Sequence, residues 1–281
     1  MYGVSVFFVQ FQNVFLKKKL KYFYRGYKKL MKLMNMIVNI LIKRVLVFDL
    51  LILTLTAFAQ ENNRLSSIEE NQGWTLLFNG KNFNGWRQCN GTEMPVNWEI
   101  EDEAMKVFLG SGTAPGEGSG GDILFFNKKY KDFELTVDWK ASKSANSGIF
   151  YYVREIPGSG IYDAAPEIQV LDNKDAIDNK ISSHLAGSLY DMLPADPKTI
   201  NPAGQWNTCL IKVNEGNVQV SMNGIQVLSY SHWTPEWDAL VQKSKFKDFK
   251  GFKDGISRKG YIGLQDHGYP VWFKNIKIRE L

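Results

Sequence analysis

Phe133, Leu135, Val137 and Trp139 alternate with Glu134, Thr136, Asp138 and Lys140. That period of two is the pattern of a strand with one face in a core and the other toward water. It constrains the fold because related patterns recur along the chain. Cys209, Ile211 and Val213 alternate with Leu210 and Lys212, turn at residues 214–217, and continue as Val218, Val220 and Met222. Asn223-Gly224 then leads directly into the apolar run 225–228. An Asn-Gly pair between two such runs is the strongest short-range hairpin signal, because both residues tolerate positive φ. Residues 209–228 are therefore expected to form an antiparallel meander. Further short runs at 74–78, 98–100, 104–109, 149–154, 167–171, 261–264 and 271–278 are separated by turn residues, and the 149–154 run is apolar on both faces, as a central strand would be. One helix is expected near residue 235. Thr234 caps it, Pro235 suits its first position, Glu236 lies at the positive end of its dipole, and Trp237, Leu240 and Val241 share a face. The sum is an all-β, largely antiparallel two-sheet sandwich with one short decorating helix and no internal repeat.

The first 59 residues are set apart from this pattern. Ala57-Phe58-Ala59 before Gln60 is an A-x-A cleavage site, preceded by the apolar run 45–55 and the basic pair Lys43 and Arg44, the layout of a secretory signal peptide. The run is short for a membrane span and is interrupted by Asp49. Upstream lies a Lys-rich aromatic stretch with no strong period, and Met31, Met34 or Met36 would each give a more ordinary start. An amphipathic membrane-surface segment is the alternative reading. The expected organisation is thus a leader over 1–59, a flexible polar lead-in over 60–72, and a single β-sandwich domain over 73–281. The expected location is the periplasm or the exterior, with cleavage after Ala59 and no membrane association afterwards.

The leader carries ten of the 34 Lys and Arg and one of the 29 Asp and Glu, leaving 24 basic against 28 acidic residues, a net of −4. The positive charge of the whole chain therefore belongs to the leader, and the domain lacks the basic footprint of a nucleic-acid binder. Cys89 and Cys209 are the two cysteines; export permits a disulfide between them, and two unpaired thiols are equally compatible. The Gly-rich segment 110–121 lacks the Gly-Lys-Ser/Thr ending of a phosphate loop and opens no helix, so it reads as a rim loop.

For chemistry, the informative stretch is Pro166-Glu167-Ile168-Gln169-Val170-Leu171-Asp172. Alternation puts Glu167 and Gln169 on one strand face, with Asp172 at the strand's end. A carboxylate beside an amide, with a second carboxylate near, suits a polyhydroxylated ligand and proton transfer to or from it. The plain alternative is a solvated strand face.

Several blocks then resemble the bacterial 3-keto-disaccharide hydrolase family. They are Gly73-Trp74, Leu77-Phe78-Asn79-Gly80-Lys81, Gly85-Trp86, Asp132-Phe133-Glu134-Leu135, Asn146-Ser147-Gly148-Ile149-Phe150, the Glu167 stretch itself, His184-Leu185-Ala186-Gly187-Ser188-Leu189-Tyr190-Asp191, Gly204-Gln205-Trp206-Asn207 and Leu264-Gln265-Asp266-His267-Gly268. The resemblance implies a concanavalin A-like jelly-roll sandwich and cleavage of glycosides carrying a ketone at sugar carbon 3, installed by a separate sugar 3-oxidoreductase. A ketone there acidifies the hydrogen on carbon 2, so one base can start an elimination that expels the anomeric oxygen, and water then adds back. Under this reading Glu167, His184, His267 and Tyr190 are the catalytic candidates. Gln169, Asp172, Arg154 and Asp266 are candidates for holding substrate, with Trp86, Trp206 and Trp233 for stacking on a sugar. Some relatives carry their basic residue earlier in the strand, where this chain has Tyr152, which puts Arg154 in question. A divalent ion, if bound, would take Glu167, His184 and His267 as ligands, although their spacing is not that of a metal motif. Two other functions fit the same fold: a non-catalytic lectin-like module, and an ordinary glucanase, whose Glu-x-Asp-x-Glu strand is broken here by Gln169.

Overall fold

Alternation in the sequence becomes alternation in space. Residues 133–141 form β6 (Phe133–Ala141), with Phe133, Leu135, Val137 and Trp139 buried while Thr136, Asp138 and Lys140 are half-buried on the other face. A computed structural model of the chain describes residues 24–26, 28–44, 61–108 and 121–281. Residues 1–60 and 61–281 are separate compact units.

In the larger unit an eight-stranded antiparallel sheet runs in the order β11 (Ile225–Ser231), β10 (Asn217–Met222), β9 (Asn207–Asn214), β6, β13 (Val271–Glu280), β4 (Ala104–Val107), β3 (Trp98–Glu101), with β1 (Thr75–Leu76) also on β13. A second antiparallel sheet runs β2 (Trp86–Gln88), β5 (Ile123–Tyr130), β12 (Gly260–Leu264), β7 (Asn146–Val153), β8 (Glu167–Leu171). The core lies between them: Leu135 and Val137 from one sheet, Ile149, Ile168, Val170 and Ile262 from the other. This is the expected all-β jelly-roll sandwich. The opposite face of the five-stranded sheet carries its own small apolar cluster of Leu124, Phe150, Val153, Ile161 and Ala165. Because Ile168 and Val170 point into the main core, Glu167 and Gln169 point to that second face.

The β9-β10-β11 meander forms as expected, with Asn223 at φ 51 and Gly224 at φ 82 in its tight turn. The helix Pro235–Lys243 starts where expected, Thr234 accepting a hydrogen bond from the Trp237 amide. It is not alone: short helices Ser67–Asn71 and Lys250–Lys253 accompany it.

The expected flexible lead-in is instead folded onto the sandwich over residues 61–72. Ser66 and Glu69 close a capping box on the helix Ser67–Asn71. Asn63, 4 % exposed, exchanges hydrogen bonds with Asn275, its amide donating to Asn275 Oδ1 at 2.6 Å and its Oδ1 accepting from the Asn275 amide at 2.8 Å. Lys277 pairs with Glu69 at 2.8 Å. The reason lies in β13, whose register against β6 shifts between Lys274 and Lys277, with Asn275 at φ 49. That irregularity leaves a backbone amide in need of a partner, and nothing near residue 63 in the sequence announces it. Cys89 and Cys209 are both unpaired, one near the end of the five-stranded sheet and one buried within the eight-stranded sheet.

In the smaller unit residues 28–44 are helical, although the Lys-rich stretch reads without a helical period; its Leu, Lys and Met residues are good helix formers by propensity. Among the described residues no helix is long and apolar enough to cross a membrane. The Ala59 cleavage site and residues 110–120 of the Gly-rich segment lie outside the described residues.

Candidate active site

Edge strand β8 pairs with β7 so that Gly148 faces Gln169 and Phe150 faces Glu167. Gly148 makes room for the acid: a Cβ there would lie 2.2 Å from Glu167 Oε1 and 2.8 Å from its Cδ. The carboxyl group thus folds across the glycine, on the sheet face away from the main core, into a cavity of about 500 Å³. Asn146 and Glu167 line it from the sheet, Asp122, Gln265, Asp266 and His267 from the strand ends, and Tyr162, Tyr190, Lys245 and Phe249 from the loops above.

Two of its carboxyl groups are held away from their usual charge. Burial pushes Glu167 up to about 8; Lys245 opposes the shift, while Asp122 and Asp178 add to it. Burial likewise pushes Asp122 up to about 7, helped by the negative charge of Asp266. Backbone donors oppose this, the Asp266 amide at 2.9 Å and that of Ile161, but desolvation outweighs them. Asp266 is itself fixed, accepting from Asn97 Nδ2 at 2.6 Å and from the Gly268 amide at 2.9 Å. Two polar atoms at the cavity, Gln265 Oε1 and His267 Nδ1, are buried without a partner.

Behind the cavity wall lies a second layer. His184 sits between two carboxylates, Nδ1 at 2.7 Å from Asp178 and Nε2 at 2.8 Å from Asp191. Its ring packs 4.4 Å from that of Tyr190, whose hydroxyl donates to Asp178 at 2.8 Å. Burial and that bond push the Tyr190 hydroxyl above its ordinary range. The Lys245 ammonium lies 4.2 Å from the Tyr190 ring centre, and the Lys245 backbone amide donates to Asp191 at 2.7 Å.

Of the residues singled out in the sequence, Glu167, His267, Asp266 and Tyr190 come together at the cavity. Tyr190 is not a free donor there, because its proton is committed to Asp178. The others are displaced from the expected roles. His184 supports Tyr190 from behind, and its two nitrogens are taken, so Glu167, His184 and His267 do not form the expected ligand set. No group of three or more acidic, His or Cys side chains is arranged for a metal among the described residues. Gln169 is fully buried and donates to Asn146 Oδ1 at 3.2 Å, acting through a cavity residue rather than on a ligand. Asp172 caps a turn, accepting from the amides of Ser144 at 2.8 Å and Lys174 at 3.1 Å.

Arg154 points to Gly251 O and Asp254, outside the cavity. The cause is a bulge: the β7 register against β12 shifts, Tyr152 adopts φ 57, and Tyr151 and Tyr152 both enter the core. The alternation past that point therefore no longer follows the sequence count. Trp86 is a core residue, its Nε1 donating to Leu77 O at 2.6 Å. Trp206 lies among lysines of the eight-stranded sheet, 5.2 Å from Lys140 Nζ and 4.3 Å from Lys274 Nζ, and Trp233 packs on Tyr152 under Arg258. None of the three lines the cavity.

The residues that sequence reasoning missed are Asp122, Asn146, Tyr162, Lys245, Phe249 and Gln265. Asn146 and Gln265 stood inside blocks that carried the family resemblance, which was a usable signal. Asp122 follows a glycine run, and Lys245 and Phe249 stand in a lysine-rich stretch that reads as solvated surface.

A polar cavity with two buried, charge-suppressed carboxyl groups on one face of an antiparallel sandwich defines, with the relatives that follow, a glycoside hydrolase. Residues 73–279 match the 3-keto-alpha-glucoside-1,2-lyase-like domain, and the chain belongs to that family. It is 41 % identical over 243 residues to a 3-keto-disaccharide hydrolase of Bacteroides thetaiotaomicron, covering 79 % of this chain and 83 % of that protein. Two crystal structures of candidate glycosyl hydrolases from Parabacteroides distasonis share the fold. One aligns with TM-score 0.70 at 31 % identity over 79 % of this chain and 100 % of the other, the second with 0.57 at 26 % over 74 % and 99 %.

Proposed function

We propose that the chain cleaves 3-keto-glycosides by elimination followed by hydration, with Glu167 as the base. The observation that carries this reading is the buried Glu167 carboxyl, raised to about 8 and aimed into a polar cavity. A base is most effective when its pKa lies near the working pH. Ionised Glu167 takes the proton from carbon 2, whose electrons move toward the carbon 3 ketone and give an enolate. The Lys245 ammonium, close enough to Glu167 to be felt by it, is the cation available to that enolate. Reforming the ketone moves the pair back to make a carbon 1–carbon 2 double bond, and the anomeric C–O bond breaks. Asp122, neutral below about 7, gives its proton to the departing oxygen. Water then adds at carbon 1 while a proton returns to carbon 2.

Gln265 and His267 line the same cavity and bring an amide and an imidazole to the hydroxyl groups of a bound sugar. The ketone comes from a separate sugar 3-oxidoreductase. The protein acts outside the cytoplasm, exported by the leader and cleaved after Ala59; N-terminal sequencing of protein from a native-type host should begin at Gln60, and a chain retaining residues 1–59 would remove this part of the reading.

Rates on a 3-keto-glycoside and on its unoxidised parent test the chemistry. Only the ketone should turn over well. Equal rates on both would indicate an ordinary glycosidase, and binding without turnover of either would indicate a lectin.

A further inference from the structure

The cavity is polar on the sheet side and aromatic on the loop side, and the aromatic side has no role in the steps above. Tyr162 and Phe249 come from two separate loops, the turn Ile161–Asp163 and the residue that follows the turn Lys245–Asp248. Their ring centres are 5.9 Å apart at an interplanar angle of 51°. Tyr162 lines the cavity and is 38 % exposed. Gly160 lies against it, so close that a Cβ there would fall 2.5 Å from the ring. The loop is anchored on both sides. Asn90 Nδ2 donates to Ile156 O at 3.1 Å and to Ser159 O at 2.9 Å, and Arg87 pairs with Glu155 at 2.7 Å. On the other flank the Ile161 backbone donates to the Asp122 carboxylate, which fixes Tyr162 beside the group assigned above as proton donor to the leaving oxygen.

Position then assigns a task. Glu167, Asp122, Tyr162 and Phe249 line one cavity, and Asp122 is bonded to the backbone of Ile161, the neighbour of Tyr162, so a substrate with carbon 2 at Glu167 and its glycosidic oxygen at Asp122 extends its leaving group toward Tyr162 and Phe249. We propose that Tyr162 and Phe249 form the leaving-group subsite, and that it selects leaving groups with an apolar ring face, either an aryl group or the C–H face of a second sugar. Aromatic side chains suit both, since a π face packs on another ring or on aliphatic hydrogens at small entropic cost.

The inference rests on the elimination reading and is tested so that the two fail differently. Wild type, Tyr162→Ala, Phe249→Ala and Tyr162→Phe are compared on methyl, phenyl and glucosyl 3-keto-glucosides, with thermal melts to confirm folding. Each alanine variant should lose about three- to tenfold more kcat/KM on a ring-bearing substrate than on the methyl one, largely through KM, and Tyr162→Phe should restore the preference. Loss confined to the phenyl substrate identifies an aryl subsite, and loss confined to the glucosyl substrate a sugar subsite. Equal losses on all three would overturn the proposal. If the wild type turns over no 3-keto-glycoside, the elimination reading fails instead. The subsite is then judged by calorimetric binding of phenyl glucoside, which the Tyr162→Ala, Phe249→Ala double variant should weaken; unchanged binding, or none in the wild type, would refute it.

Discussion

Glu167→Gln probes the site through two properties at once. The amide keeps the shape of the side chain above Gly148 and removes both the base and the buried charge. In the folded protein the carboxyl is raised from 4.5 to about 8 by burial. The folded state therefore binds a proton that the unfolded chain has released between those values, and stability falls as pH rises through that window. At about 1.4 kcal/mol per pH unit, the ionised group costs the wild type at most about 5 kcal/mol above pH 8. The glutamine variant escapes this cost, so it should be the more stable protein at pH 9 and nearly equal to wild type at pH 5. For a domain of this size each kcal/mol corresponds to about 2–4 °C in Tm, so melts at the two pH values resolve the effect. Activity should move the other way. Turnover of a 3-keto-glycoside should drop by about 10²- to 10⁴-fold, and the rise of the wild-type kcat/KM with pH toward about 8 should disappear. Melting curves whose separation is independent of pH would refute the buried-charge argument, and a fully active variant would remove Glu167 from the mechanism.

Asp122→Asn should abolish the alkaline fall of kcat/KM, because Asp122 must be protonated to act and its carboxyl is raised to about 7. The wild-type profile should be a bell whose two limbs belong to the Glu167 and Asp122 pair jointly rather than to either residue alone; an alkaline limb retained in the variant would exclude Asp122 as the acid. Gly148→Ala places a methyl 2.2 Å from Glu167 Oε1, so it should cut activity at least tenfold while the far-UV circular dichroism keeps its β signature, and wild-type rates would show that Glu167 does not need that space. Asn223→Pro cannot adopt φ 51. It also loses the amide bond to Thr208 O at 2.9 Å and the side-chain bonds to Thr199 O and Asn207 Oδ1, both 2.8 Å. A loss above about 3 kcal/mol is expected in urea unfolding, and unchanged stability would contradict the role of this turn.

By itself the sequence determined the parts governed by neighbours in the chain. The two-residue period of β6, the positive-φ turn at Asn223-Gly224 and the cap at Thr234 are short-range devices, each readable because the cause and the effect lie within a few residues. The inward and outward faces of β8 were legible for the same reason, which is how Glu167 stood out. Tertiary structure decided what those faces meet. Asp122 gains its altered charge from burial against residues about 40 and 140 positions away in the chain, and Lys245 reaches the cavity from a loop whose own composition says only that it is soluble. The bulge at Tyr152 turned Arg154 away, and the kink at Asn275 drew residues 61–72 onto the sandwich. Each of these depends on which backbone groups and charges a distant strand leaves unsatisfied, and desolvation is a property of the closed cavity as a whole. No local pattern encodes it.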